Sequence, residues 1–217
     1  LFVVLTLLAA APAWAQQTIK IGLVTALSGQ SARAGEAITR GLQVAIDEIN
    51  AKGGLLNGRK LELLRRDDES IPAKGVIAAR ELYFKEKVAV LIGGLDTPVA
   101  VAIVPIANES KLPFMDPWAA GTAITKNGAK DNYVFRVSAV DELVDKAMLQ
   151  YAQKTHNARK PGMILVNNPW GESNEKGLTA ALAEKKMKAA GIEKFEGNDV
   201  DVVPQLSRLK SAGTDVL

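Results

Sequence analysis

Four polar loops carry the side chains best suited to bind a small molecule. Each follows an apolar run that predicts a buried strand, and the loops are residues 28–35, 93–98, 116–122 and 167–171. In the first loop Arg33 could meet an anionic group. In the second, Asp96 could meet a cationic or N–H-bearing group, and Thr97 followed by Pro98 is typical of a helix start with free N–H groups. Trp118 and Trp170, in the other two loops, could each offer an apolar face.

Each of these loops also has a purely structural interpretation. Arg33 could be solvated near the N-cap of a helix, and Thr97 could simply cap the helix that follows it. Asp96 could be a surface carboxylate favoured by the positive end of the same helix. Trp118 could pack under its own loop. The residue types alone leave both interpretations open.

The composition excludes several kinds of catalytic and metal-binding site. The 217 residues include no Cys and a single His, His156, so thiol catalysis, zinc–thiolate sites and disulfides are excluded, and a Ser-His-Asp triad is hard to build. Neither nucleotide-binding glycine pattern, G-x-G-x-x-G or G-x-x-x-x-G-K-[ST], is present. The acidic run at residues 67–69 leaves a strand with its side chains diverging, so we expect no metal there. We therefore predict no catalytic residue, no metal and no cofactor.

The net charge of +3 is too small to indicate nucleic-acid binding, because no periodic cluster of Lys and Arg accompanies it. Apolar runs instead alternate with amphipathic stretches along the whole chain. The predicted strands are residues 19–27, 60–66, 88–93, 111–115, 133–137, 162–166, 192–195 and the start of another at 215–217. The predicted helices are residues 32–51, 72–87, 97–110, 141–153, 170–190 and 204–211.

This alternation predicts an α/β fold made of doubly wound parallel sheets, whose ligands bind outside the carboxyl ends of the strands. Five strands suffice for a first lobe at residues 16–137, and the alternation restarts in a second, incomplete lobe at residues 138–217. Residues 1–15 read as the remnant of a secretory signal peptide, with an apolar run followed by Pro12 and a small-x-small site. We expect cleavage after Ala15 and export to the periplasm. A chain that begins at Leu1 and ends in a strand-like segment indicates a fragment truncated at both ends.

Eight stretches, taken together, resemble a known family. They are IKIGLVTALSG (19–29), GLQVAIDEINAKGG (41–54), NGRKLEL (57–63), DDESIPAKGV (67–76), VAVLIGG (88–94), YVFRVS (133–138), WGESNEKGL (170–178) and VPQLSRLKSAGTDV (203–216). Their order and spacing resemble those of type I periplasmic substrate-binding proteins of ABC transporters, in the branched-chain amino acid (leucine/isoleucine/valine-binding) group. The resemblance implies two hinged lobes with the ligand enclosed between them.

The resemblance also implies a set of ligand-binding positions. A Tyr that packs on the ligand in the amino-acid binders corresponds to Ala34, beside Arg33, and the Ser that binds the ligand carboxylate corresponds to Thr97. The remaining implied positions are Leu95, Asp96, Trp118, Ala119, Ala120 and, from the second lobe, Trp170. One hydroxyl of the family pattern is kept and another is lost, while Trp118 and Asp96 are added.

These departures predict a small amino acid-like, amide or aromatic acid ligand, with branched aliphatic amino acids still possible. The resemblance implies the monomeric solute-binding component of an ABC importer, which delivers its ligand to the membrane subunits of a permease and performs no catalysis. The alternative is the ligand-sensing domain of a receptor with the same fold.

Overall fold

The computed structural model describes residues 18–217, and its main feature is a five-stranded parallel sheet. The strands are β1 (Ile19–Thr25), β2 (Leu61–Asp67), β3 (Val90–Gly93), β4 (Phe114–Asp116) and β5 (Val134–Arg136). Their order across the sheet is β2-β1-β3-β4-β5. Because the chain moves outward from β1 in both directions, the connections diverge between β1 and β3 and open a crevice at the carboxyl edge.

Three helices accompany this sheet, namely α1 (Ala32–Ala51), α2 (Pro72–Arg80) and α3 (Thr97–Ser110). Helix α3 is the most deeply buried of them, and Val99, Ala100 and Ile103 on it are 0% exposed. They pack with Leu91 and Phe114 of the sheet and with α2 in one continuous core. Burial of this many apolar groups fixes α3, and therefore its first turn at the carboxyl edge of the sheet.

A second parallel sheet follows, formed by β6 (Gly162–Val166) and β7 (Gly191–Phe195). Its helices are α4 (Asp141–His156), α5 (Pro169–Glu184) and α6 (Val203–Ser211). A smaller core holds this part together, made of Leu149, Met163, Leu165, Ala181 and Leu182. The strand-like end of the sequence makes a single parallel bridge, between Pro161 and Val216.

Three helix ends differ from the sequence prediction by two residues or more, and the first of these is α4, which ends at His156 rather than at 153. Helix α5 ends at Glu184 rather than at 190, because Lys186 takes a left-handed conformation with φ of 57° and the N–H of Met187 donates to Leu182 O at 2.9 Å. This closing turn brings Met187 onto the second core. Helix α2 changes at Glu81 into a π-helical turn that ends at Lys85, rather than continuing as an α-helix to residue 87.

The predicted α/β class with parallel sheets is confirmed, and strands and helices alternate as expected. The lobe boundary between residues 137 and 138 stays a prediction. Across residues 18–217, every helix is too short or too polar to cross a lipid bilayer. The export signal predicted at residues 1–15 lies outside the described residues.

Candidate functional site

A cavity of about 470 Å³ lies at the carboxyl edge of the first sheet, beside the crevice between β1 and β3. The loops that follow β1, β2, β3, β4 and β6 all contribute to its walls. The lining residues are Gln30, Ser31, Glu69, Ser70, Leu95, Asp96, Thr97, Pro98, Trp118, Ala119, Ala120, Asn168 and Trp170. Parts of the chain that belong to two separate sheets therefore enclose one space.

The loop after β4 is shaped by a buried carboxylate. Asp116 is 0% exposed, and its Oδ1 accepts the N–H of Trp118 at 3.0 Å and that of Ala119 at 2.9 Å. These two bonds hold the backbone in a tight turn. The turn leaves the Trp118 side chain 61% exposed on the cavity wall, while Ala119 packs into the core.

Gly121 lets the same loop pack against the start of α3. A Cβ at this position would lie 2.4 Å from Thr97 Cγ2, a distance that a real side chain does not reach. The close approach allows the N–H of Gly121 to donate to Thr97 Oγ1 at 3.3 Å. The Thr97 hydroxyl thus fixes the loop and keeps its own proton to donate elsewhere.

The start of α5 forms the opposite wall. The side chain of Asn168 caps this helix, accepting the N–H of Trp170 at 2.9 Å and that of Gly171 at 3.1 Å. At Gly171 a Cβ would lie 1.8 Å from Val166 O, so the helix can approach the end of β6 only because this residue is Gly. Trp170 is consequently held in the first turn of α5, with its side chain 49% exposed.

Hydrogen bonds join the two walls behind the cavity. Ser173 Oγ on α5 accepts the N–H of Thr122 at 3.0 Å, and Ala120 O accepts the N–H of Asp141 at 2.8 Å. The Arg136 guanidinium adds bonds to Gly121 O at 2.7 Å and to Thr125 Oγ1 at 2.9 Å. The loop after β4 is therefore tied both to its own sheet and to the helices of the second sheet.

Burial dominates the electrostatics beneath this loop. It raises the pKa of Asp116 to about 7, although the N–H groups of Trp118 and Ala119 and the charge of Arg136 act in the opposite direction. Burial also lowers the pKa of Arg136, which the charges of Asp116 and Asp141 partly offset. This carboxyl–guanidinium pair lies behind the loop and is not part of the lining, so its role is to shape the wall.

The structure brings together most of the residues singled out in the sequence. Those that line the cavity are Leu95, Asp96, Thr97, Trp118, Ala119, Ala120 and Trp170. Two do not line it: Arg33 is exposed and Ala34 is half-buried in the first turn of α1. The ligand-binding role of the whole set stays a prediction.

Sequence reasoning missed six lining residues: Gln30, Ser31, Glu69, Ser70, Pro98 and Asn168. Glu69 belongs to the acidic run that was considered for metal binding. The neighbouring Asp67 binds backbone instead, since its Oδ1 accepts the N–H of Leu27, in the loop after β1, at 2.8 Å and that of Glu69 at 2.9 Å. In residues 18–217, no group of three or more His, Asp or Glu side chains is placed to hold a metal ion.

Comparisons with known proteins agree with this architecture. The family model described as "Periplasmic binding protein" matches residues 18–217. The "Leu/Ile/Val-binding protein homolog 7" of Brucella melitensis is 32% identical over 96% of this chain and 53% of that protein. The chain thus spans about half the length of the curated relatives it matches.

Solved structures of two transporter components are also similar. One is a branched-chain amino acid transporter substrate binding protein from Streptococcus pneumoniae in complex with isoleucine, with 29% identity and a TM-score of 0.75 over 89% of this chain and 54% of that one. The other is a solute binding protein of an ABC transporter from R. palustris in complex with benzoate, with 31% identity and a TM-score of 0.78 over 92% of this chain and 54% of that one.

Proposed function

The chain belongs to the periplasmic binding protein family, and we propose that it is the exported solute-binding component of an ABC importer. In this proposal the polypeptide captures a small ligand and delivers it to membrane permease subunits without performing chemistry. The observation that carries the proposal is a cavity lined by loops of two parallel sheets, with Thr97 and Trp118 on one side and Trp170 on the other.

We further propose that residues 16–137 and 138–217 act as two lobes that move relative to each other about the segment after β5. Contacts at the rear of the cavity include polar ones, such as the bond from Thr122 N to Ser173 Oγ. A rotation can exchange such contacts with water at little cost in free energy, whereas an apolar interface would resist it. Closure onto a ligand would then bury the exposed indoles.

The proposed ligand is a small amino acid-like, amide or aromatic acid molecule held between Trp118 and Trp170. The two indoles, 61% exposed at Trp118 and 49% at Trp170, can bury apolar area on contact with a ligand, which favours binding by about 25 cal/mol per Å². Relatives of known structure contain isoleucine in one case and benzoate in another, which supports a panel drawn from both classes.

The test is a ligand panel applied to the complete gene product by calorimetry and indole fluorescence. Branched-chain and aromatic amino acids, small amides and aromatic acids form the panel. We expect at least one ligand to bind, and Trp118→Ala and Trp170→Ala each to weaken it at least tenfold, since each removes a contact wall. Tyr151→Ala is the control, because Tyr151 is an exposed aromatic residue that does not line the cavity. Unchanged affinity in both Trp variants would refute the proposed stacking.

A further inference from the structure

The cavity lining is acidic. Glu69 and Asp96 are the charged residues in it, and Lys, Arg and His are absent from the lining residues that the structure describes. Glu69 already has a charge partner, because its carboxylate forms an ion pair with Lys74 at 2.5 Å. Asp96 has no ion pair within residues 18–217, so its charge is the one left for a ligand to meet.

The carboxylate of Asp96 is not used by its own helix. The residue occupies the N-cap position of α3 with an extended backbone, yet its side chain makes no capping hydrogen bond. An Asp at this position ordinarily accepts the N–H of the second or third helical residue, and here the second is Pro98, which has none. Its Oδ2 is buried and has no hydrogen-bond partner in the described chain. The residue is part of the cavity lining, so a hydrogen-bond donor on a ligand would meet a carboxylate that its own helix leaves unpaired.

A second carboxyl nearby strengthens the negative potential. Asp68 is 1% exposed, its Oδ1 accepts the N–H of Ser70 at 2.8 Å, and its Oδ2 has no partner among the described residues. Burial raises the pKa of Asp68 to about 6; the N–H of Ser70 acts against this, and the charges of Asp96 and Asp67 add to it. The two carboxyls therefore interact beneath the wall to which Ser70 belongs.

We propose that Asp96 receives a protonated amine of the ligand, so that the cavity selects ligands that carry an amino group over those with a carboxylate alone. This inference rests on the proposed function and narrows its ligand class. The indole faces of Trp118 and Trp170 act in the same direction, because the negative face of an aromatic ring attracts a cation. A carboxylate without an amine would meet Asp96 with like charge.

The test compares matched ligands on the complete gene product by calorimetry at pH 7.5. The pairs are leucine with 4-methylpentanoate, phenylalanine with 3-phenylpropanoate, and benzylamine with benzoate. In every pair of which at least one member binds measurably, we expect the member that carries an amino group to bind at least tenfold more tightly than the other. Asp96→Asn should reduce this preference at least tenfold, whereas Asp131→Asn, at an exposed position outside the cavity, should leave it unchanged.

The outcomes separate this inference from the proposed function. If the member of a pair that lacks an amine binds as tightly as the member that carries one, the proposed role of Asp96 is wrong while solute binding stands. The same holds if Asp96→Asn leaves the preference intact. If neither these pairs nor the wider panel binds, the proposed function is wrong and this inference is overturned with it.

Discussion

Asp145 makes the stability of this fold depend on pH. It lies on α4 with 0% of its surface exposed, and neither of its carboxylate oxygens has a hydrogen-bond partner among the described residues. Helix α5 packs so closely here that a Cβ on Gly177 would lie 1.9 Å from Asp145 Oδ2. Burial raises the pKa of Asp145 to about 7, and the negative charge of Asp141 adds to the effect.

The sign of the effect follows from the direction of the shift. A carboxyl whose pKa is higher in the folded chain than in the unfolded chain favours folding while it is protonated, and that advantage is lost as the pH rises towards the folded pKa. A rise from 3.8 to about 7 corresponds to roughly 4 kcal/mol. Roughly 2.5 kcal/mol of this falls between pH 5 and pH 8.

The amide of Asp145→Asn does not ionise. We therefore expect the free energy of unfolding of this variant, relative to that of the parent, to increase by about 2.5 kcal/mol from pH 5 to pH 8. Urea denaturation followed by far-UV circular dichroism at both pH values measures this difference. Comparison with the parent cancels the titration of Asp116 and Asp68, whose pKa values are also raised. Asp131→Asn is the exposed control. Parallel stability profiles for Asp145→Asn and the parent would refute the assignment.

Two further predictions concern the packing around the cavity. Gly171→Ala should destabilise the fold by about 2–4 kcal/mol, because its Cβ would meet Val166 O, whereas Gly41→Ala, on α1 with open space around it, should stabilise by about 0.5–1 kcal/mol. Thermal unfolding distinguishes the two, and equal melting temperatures would contradict the packing argument. Arg136→Lys should cost about 1–2 kcal/mol, since an ammonium cannot replace both guanidinium bonds to Gly121 O and Thr125 Oγ1. Urea unfolding at pH 7 measures this loss, and a loss no larger than that of the surface variant Lys188→Arg would contradict it.

The helix starts and the alternation of strands and helices in the first sheet could be predicted from the sequence because they depend on local signals. Thr97 followed by Pro98 predicted the first turn of α3, and the structure places that turn on the cavity. The lining role of Glu69 and Ser70 has no such signal, since it depends on β2 lying beside β1 in the sheet. Arg33 lies outside the cavity lining, because a position in a loop after a strand does not determine which way a side chain points.

Helix ends were predicted less well than helix starts. The end of α5 depends on the packing of Met187 against the second core, which includes residues distant in sequence such as Leu149 and Met163, and Lys186 adopts its left-handed conformation at this turn. The buried carboxyls were also beyond reach, because Asp145 reads as an ordinary helix-surface residue until α5 covers it.

The tight packing at Gly121 and the accessibility of other residues around the cavity determine which positions can be varied in directed evolution of this protein. The Thr97 side chain packs so closely on Gly121 that a Cβ does not fit there, so that position must stay fixed in a library. Gln30 is exposed and Ser31 half-buried, and both border the same space. A library that randomises Gln30 and Ser31 and retains Gly121 can therefore alter ligand preference without loss of folded protein.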